Sequence, residues 1–174
     1  MKTKTHECTI CGQPAKLSRA NYRYTESGLS NVILQGIEIA ECPHCANQDV
    51  LIPHMEKIHR AIAQAITNSP GRIDGDQLRF LRTHLGLTGE KLGTYLHTDK
   101  TKISKWERGE HTIGPTTDHL LRLLVIALDS DLRPAMSAVA EHLPLISNGS
   151  NKDWELHLDV NTLQCSFLAV SRAA

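Results

Sequence analysis

Two Cys-x-x-Cys pairs, Cys8 with Cys11 and Cys42 with Cys45, constrain the first third of this chain more tightly than any hydrophobic pattern in it. Such a turn aims two thiolates at one ion from a single knuckle, and two turns complete a tetrahedral shell of four sulfurs. Gly12 follows the first pair where a knuckle needs positive φ, and Ala46 takes the equivalent place in the second. Soft thiolates filling every position make one structural zinc ion the expected cofactor, and a closed shell leaves no site for an activated water. His6 and His44 lie nearby and read as bystanders, while Cys165, the unmatched fifth cysteine, reads as a small buried apolar residue.

Between the pairs, Tyr22, Tyr24, Val32, Leu34, Ile37 and Ile39 suggest two or three short strands around a turn at Glu26, Ser27 and Gly28. Pro53 suits a first helical turn, and Met55, Ile58, Ile62, Ala65 and Ile66 then repeat at helical spacing, as a cover for the metal-bound sheet. The cysteine spacing also resembles rubredoxin, which makes an iron electron carrier the alternative. That family's intervening segment is acidic and rich in ring side chains, unlike this one.

A second stretch, Leu85 to Gly109, reads as a helix-turn-helix. Thr88 caps a short helix whose buried face is Leu92, Tyr95 and Leu96; a tight turn follows at His97 and Thr98. Asp99 caps the next helix, which turns Ile103 and Trp106 inward and Lys100, Thr101, Lys102 and Lys105 outward. Gly93 stands where two steeply crossing helices touch, which explains a residue that costs roughly 1 kcal/mol against alanine. Lys plus Arg and Asp plus Glu both number 19, so attraction for nucleic acid must be local, and this helix supplies it. No apolar run is long enough to span a bilayer and MKTKTHECTI has no apolar signal core, so the expected location is the cytoplasm, with no membrane partner. Scattered histidines and no recognisable nucleophile point away from an enzyme.

Around this stretch, Thr67 to Arg72 (TNSPGR) reads as a hinge. Asp74 or Asp76 caps a helix bearing Leu78, Leu81, Arg82 and Leu85. A fourth helix, Thr116 to Leu128, shows a stripe of Leu120, Leu121, Leu124, Val125 and Leu128, and Asp131 to Leu143 suggests a fifth. Asp118, Asp129, Asp131 and Glu141 outnumber Arg122 and Arg133 there, which reads as a far side that repels phosphate. In the tail, Trp154, Leu156, Leu158 and Val160 alternate, then Leu163, Cys165, Phe167 and Ala169 less cleanly, as a hairpin turning at Asn161 and Thr162. A lone hairpin is unstable, so it caps the body or, preferably, pairs with a second copy.

The run Leu92, Gly93, Ile103, Ser104, Lys105, Trp106, Glu107, Arg108, Gly109 resembles the Xre/Cro-type DNA-binding family. The resemblance implies a structural pair between Arg82 and Glu107, and a homodimer on double-stranded DNA with a palindromic operator. Lys100, Thr101 and Lys105 would reach base edges, Lys102 and Arg108 phosphates, and Thr88 and Gly89 the backbone, Gly89 standing where the family often has a glutamine. Tyr24 to Val32, between two Cys-x-x-Cys pairs and ahead of the helix-turn-helix, resembles the YgiT-type zinc-finger family, which includes MqsA-type antitoxins. That implies a repressor of a type II toxin-antitoxin system, with a small toxin bound by residues 1–66; a stand-alone regulator whose zinc domain binds another protein is the alternative. The expected fold is α+β and mainly helical: a four-cysteine zinc domain with short strands over 1–66, a linker over 67–72, a five-helix Xre/Cro-type domain over 73–143, and a tail over 144–174 with a C-terminal β-hairpin.

Overall fold

The computed structural model describes residues 6–135, 140, 141, 143, 146 and 154–169. In order, the chain forms β1 (His6–Glu7), β2 (Pro14–Arg23), β3 (Val32–Glu41), β4 (Gln48–Leu51), α1 (Met55–Asn68), α2 (Gly75–His84), α3 (Gly89–Tyr95), α4 (Lys100–Glu107), α5 (Pro115–Leu128), β5 (Trp154–Asp159) and β6 (Cys165–Ala169). Short 3-10 turns occupy Thr25–Ser27 and Ser130–Ala135.

β3 is the spine of one mixed sheet. β2 pairs antiparallel along one edge, with Gln35 and Gly36 of β3 bulging opposite Asn21. The other edge is shared end to end: β4 takes Glu38 to Glu41 antiparallel, and β5 takes Val32 to Gln35 in parallel. β6 then pairs antiparallel with β5 as an outer strand.

This overturns the expected layout. The hairpin is not a separate tail, because β5 and β6 complete the sheet begun by the first third of the chain. The cause is backbone hydrogen bonding: β4 is four residues long and leaves the buried Val32 to Leu34 half of β3 unpaired on that edge, and β5 fills it. The six-stranded sheet is a full layer beside the helices, and the described residues of 73–143 hold four complete α-helices. Where the fifth was expected to begin the chain makes the 3-10 turn, in which Pro134 lacks a donor and Asp129 Oδ1 accepts from the Asp131 backbone, and further on Ala140 and Glu141 are helical. Most of the remaining stretch, 136–139 and 142, lies outside the described residues.

A single apolar cluster joins the two halves. Leu34, Ile37 and Leu158 of the sheet, Ile58 and Ile62 of α1, and Leu78, Leu92, Ile103 and Leu121 of the later helices all belong to it. The 67–72 connector between them, expected as a hinge, is clamped by side-chain hydrogen bonds. Arg122 on α5, fully buried, donates to the carbonyls of Ile66 (3.2 Å), Thr67 (2.8 Å), Ser69 (2.8 Å) and Gly71 (2.6 Å) and to Asp118 Oδ2 (2.8 Å). Asp118, equally buried, accepts from the Ile73 backbone at 2.7 Å. These two residues therefore contribute nothing to an acidic far side; Asp129 is also mostly covered, bridged to His84 and Arg60.

Candidate functional site

The four cysteines converge. Their sulfurs all lie within 4.8 Å of one another, with Cys8 and Cys45 at 3.5 Å and Cys11 and Cys42 at 3.5 Å. Metal–thiolate bonds of about 2.3 Å place tetrahedral sulfurs about 3.8 Å apart, so the cage fits one metal ion. The two knuckles have the same backbone design. In each, the first cysteine's N–H donates to a carbonyl five residues on (Gln13, Asn47), and its own carbonyl accepts from the residue four on (Gly12, Ala46), all at 2.9 Å. Gly12 (φ 70°) and Ala46 (φ 57°) both take the left-handed conformation anticipated for those places.

Asp49, which the sequence pattern does not single out, ties one knuckle to the other. Its carboxylate accepts from Thr9 Oγ1 (2.6 Å) and Thr9 N (3.2 Å) of the first and from Asn47 Nδ2 (2.9 Å) of the second. The Thr9 hydrogen bonds hold its carboxyl below the usual range. The backbone N–H groups of Cys11 and Ile10 bring the Cys8 thiol down to about 6. Asn47 N–H favours the Cys45 thiolate too, but burial and the adjacent sulfurs push that thiol up to about 12. Four thiolates this close repel one another, and a cation among them is what allows all four to ionise.

Apart from the cysteines, α3 and α4 form a helical hairpin. Thr88 Oγ1 accepts from Lys91 N (3.1 Å) and Asp99 Oδ1 from Lys102 N (2.9 Å), the two expected caps. Asp74 and Gln77 make a reciprocal capping box at the start of α2. Between α3 and α4, His97 is left-handed (φ 50°) and Thr98 N donates to Gly93 O at 2.8 Å. A Cβ on Gly93 would stand 2.5 Å from Thr98 O, so the close contact is with the turn itself. Gly75, which sequence reasoning passed over, meets the end of α4 as tightly: its Cβ would stand 2.4 Å from Trp106 O.

Ile103 and Trp106 anchor α4 in the core, at 1% and 5% exposure. Arg82 grips Glu107 with two hydrogen bonds (2.5 and 3.2 Å) and donates a third to Leu87 O (2.9 Å), pinning α2 to the end of α4. Along the outer side, Thr88, Lys100, Thr101, Lys102 and Arg108 are exposed, and Gly89 and Lys105 half-buried. Two of the cations have partners already: Lys102 Nζ lies 5.3 Å over the Trp106 ring, and Arg108 bonds Glu110 (2.6 Å) and Ser104.

Neither a family model nor a curated protein matches this chain. Among the described residues no helix is long and apolar enough to cross a membrane.

Proposed function

We propose that the chain is a sequence-specific DNA-binding transcriptional regulator, a repressor that acts as a homodimer on a palindromic operator and carries one structural zinc ion on Cys8, Cys11, Cys42 and Cys45. One observation carries the reading: α4 is locked from beneath by Ile103, Trp106 and the Arg82–Glu107 pair, while its outer ridge offers cations and a threonine to a groove. Lys100, Thr101 and Lys105 meet base edges, lysine donating to guanine O6 and N7 and the threonine methyl touching thymine. Lys102 leaves the Trp106 ring, and Arg108 exchanges Glu110, for phosphates. The zinc ion, when bound, supplies a cross-link that holds the first knuckle to the second; Asp49 orients both.

The resemblance to the YgiT-type family extends the reading to an antitoxin-like role, with residues 1–66 as the grip on a small toxin. A footprint on the DNA upstream of the protein's own gene tests the regulator: two protected half-sites roughly 34 Å apart are expected. Co-expression with the adjacent short gene tests the toxin; failure to co-purify leaves a stand-alone regulator.

A further inference from the structure

Helices α1 and α2 line a cleft that neither the cysteine cage nor α4 uses. Glu56, His59 and Arg60 stand three and four apart on one face of α1, and Asp76, Phe80 and His84 repeat at the same step on α2. The turn at Glu26 to Gly28, where Gly28 is left-handed (φ 80°), supplies a third wall. The space measures about 500 Å³, the size of a site for a small organic molecule. Its floor is aromatic: Phe80, 6% exposed, lies edge-on to His59 (centroids 5.7 Å apart) and parallel to His84 (6.3 Å). His59 in turn stacks on Tyr24, whose hydroxyl meets its Nε2 at 2.8 Å. Burial, and then the charge of His84, hold His59 below the ordinary histidine value, so its ring is neutral at pH 7.

The rim is charged, and unevenly. Arg60 is bound to Asp129 and Asp131, and Arg79 to Glu107, carboxylates that do not border the cleft. Of the carboxylates that do, Glu26 accepts the Tyr22 hydroxyl, and Glu56 and Asp76 have no partner among the described residues. Each guanidinium is thus already neutralised, and three carboxylates are left over. We propose that this cleft binds a small organic ammonium ion with an aromatic body, an arylalkylamine in class, its ring on Phe80, His59 and His84 and its charge among Glu26, Glu56 and Asp76. Surplus carboxylate rejects an anion of the same shape, and the ring-lined floor favours a ring over a bare polyamine. The site goes beyond the proposed function but lies one ion pair from it: Arg79 on the rim meets, at Glu107, the carboxylate that Arg82 holds at the end of α4.

The test uses the full-length, zinc-loaded protein without DNA, so it stands or falls apart from the proposed function. Titration with phenethylamine at pH 7, followed by heteronuclear NMR, should give saturable shifts at Gly28, His59 and Thr83 and a dissociation constant of about 1 mM or below. Phenylacetate, of similar shape but opposite charge, should show no saturation by about 10 mM. Spermidine, a cation without a ring, should bind at least about fivefold more weakly than phenethylamine. Glu56→Gln and Asp76→Asn, both at exposed positions, should each weaken phenethylamine about fivefold, and Thr83→Trp should fill the cleft and abolish binding. Should Thr83→Trp lose its native circular dichroism, the two carboxylate variants carry the reading. Glu90→Gln, an exposed carboxylate on α3, should change nothing. The proposal is overturned by phenethylamine shifts that do not saturate by about 10 mM, by phenylacetate or spermidine binding as tightly, or by folded Glu56 and Asp76 variants that keep the wild-type constant.

Discussion

Replacing Arg122 by methionine removes the clamp while roughly keeping its volume. The change leaves the carboxylate of Asp118 at 0% exposure with, among the described residues, the Ile73 N–H as its remaining hydrogen-bond donor, and strips the carbonyls of Ile66, Thr67, Ser69 and Gly71 of this donor. Removing one partner of a buried ion pair costs about 3–5 kcal/mol, against a usual total stability of about 5–15 kcal/mol. With a urea slope of about 2 kcal/mol per molar, the unfolding midpoint should fall by about 2 M. The double variant Asp118→Asn/Arg122→Met no longer strands a charge and should be more stable than Arg122→Met alone, a coupling that a double-mutant cycle reads directly. A loss below about 1 kcal/mol in the single variant, or strict additivity in the cycle, refutes the clamp.

Gly93→Ala should destabilise by about 1–3 kcal/mol through overpacking against Thr98 O, even though alanine favours the helix by roughly 1 kcal/mol; a thermal melt showing a gain would remove the close approach. Chelation should release one metal ion per chain. Because Cys8, Ala15, Ala40 and Cys42 form an apolar cluster apart from the main core, hydrogen exchange should then quicken around residues 8–17 and 40–51 while the helices keep their far-ultraviolet signal. Burial alone would raise the Asp129 carboxyl, but His84, the Asp131 backbone and Arg60 hold it below the usual carboxylate range. A carboxyl depressed on folding adds stability above its unfolded pKa of about 3.9 and loses it as pH falls through the lower folded value. The stability difference between wild type and Asp129→Asn should therefore stay level on acidification until about pH 4 and close below it; a gap that closes near neutrality contradicts the assignment.

Local chemistry was legible in the residues. Thr88, Asp99 and Asp74 cap the helices expected of them because a cap needs only a side-chain oxygen and the next three residues. The four cysteines meet, and Arg82 finds Glu107 across 25 positions. What the pattern hid is nonlocal. Parallel pairing of β3 with β5 joins residues more than a hundred positions apart, and alternation in either strand says nothing of its neighbour. Asp118 and Arg122 read as surface because charged side chains are rarely buried, yet a buried pair is the case in which they are. The signal was present: α5 is apolar nearly all round, so no single stripe could be chosen from it. Cys165 was expected inside and stands exposed on β6, its sulfur 3.7 Å from Ala61 O, since a weak alternation does not settle which face an outer strand presents.

The most direct measurement is a fluorescence-anisotropy titration of the metal-loaded protein with its own upstream duplex and with a scrambled duplex of equal length, over a range of salt. The wild type should prefer the upstream duplex by about a thousandfold or more. Lys105→Ala should shrink that preference by about 1–3 kcal/mol, and Lys102→Ala should weaken both duplexes alike and lower the salt slope by about 1. Equal binding of the two duplexes by the wild type, or a Lys105 variant with an unaltered preference, would mean that α4 does not read DNA.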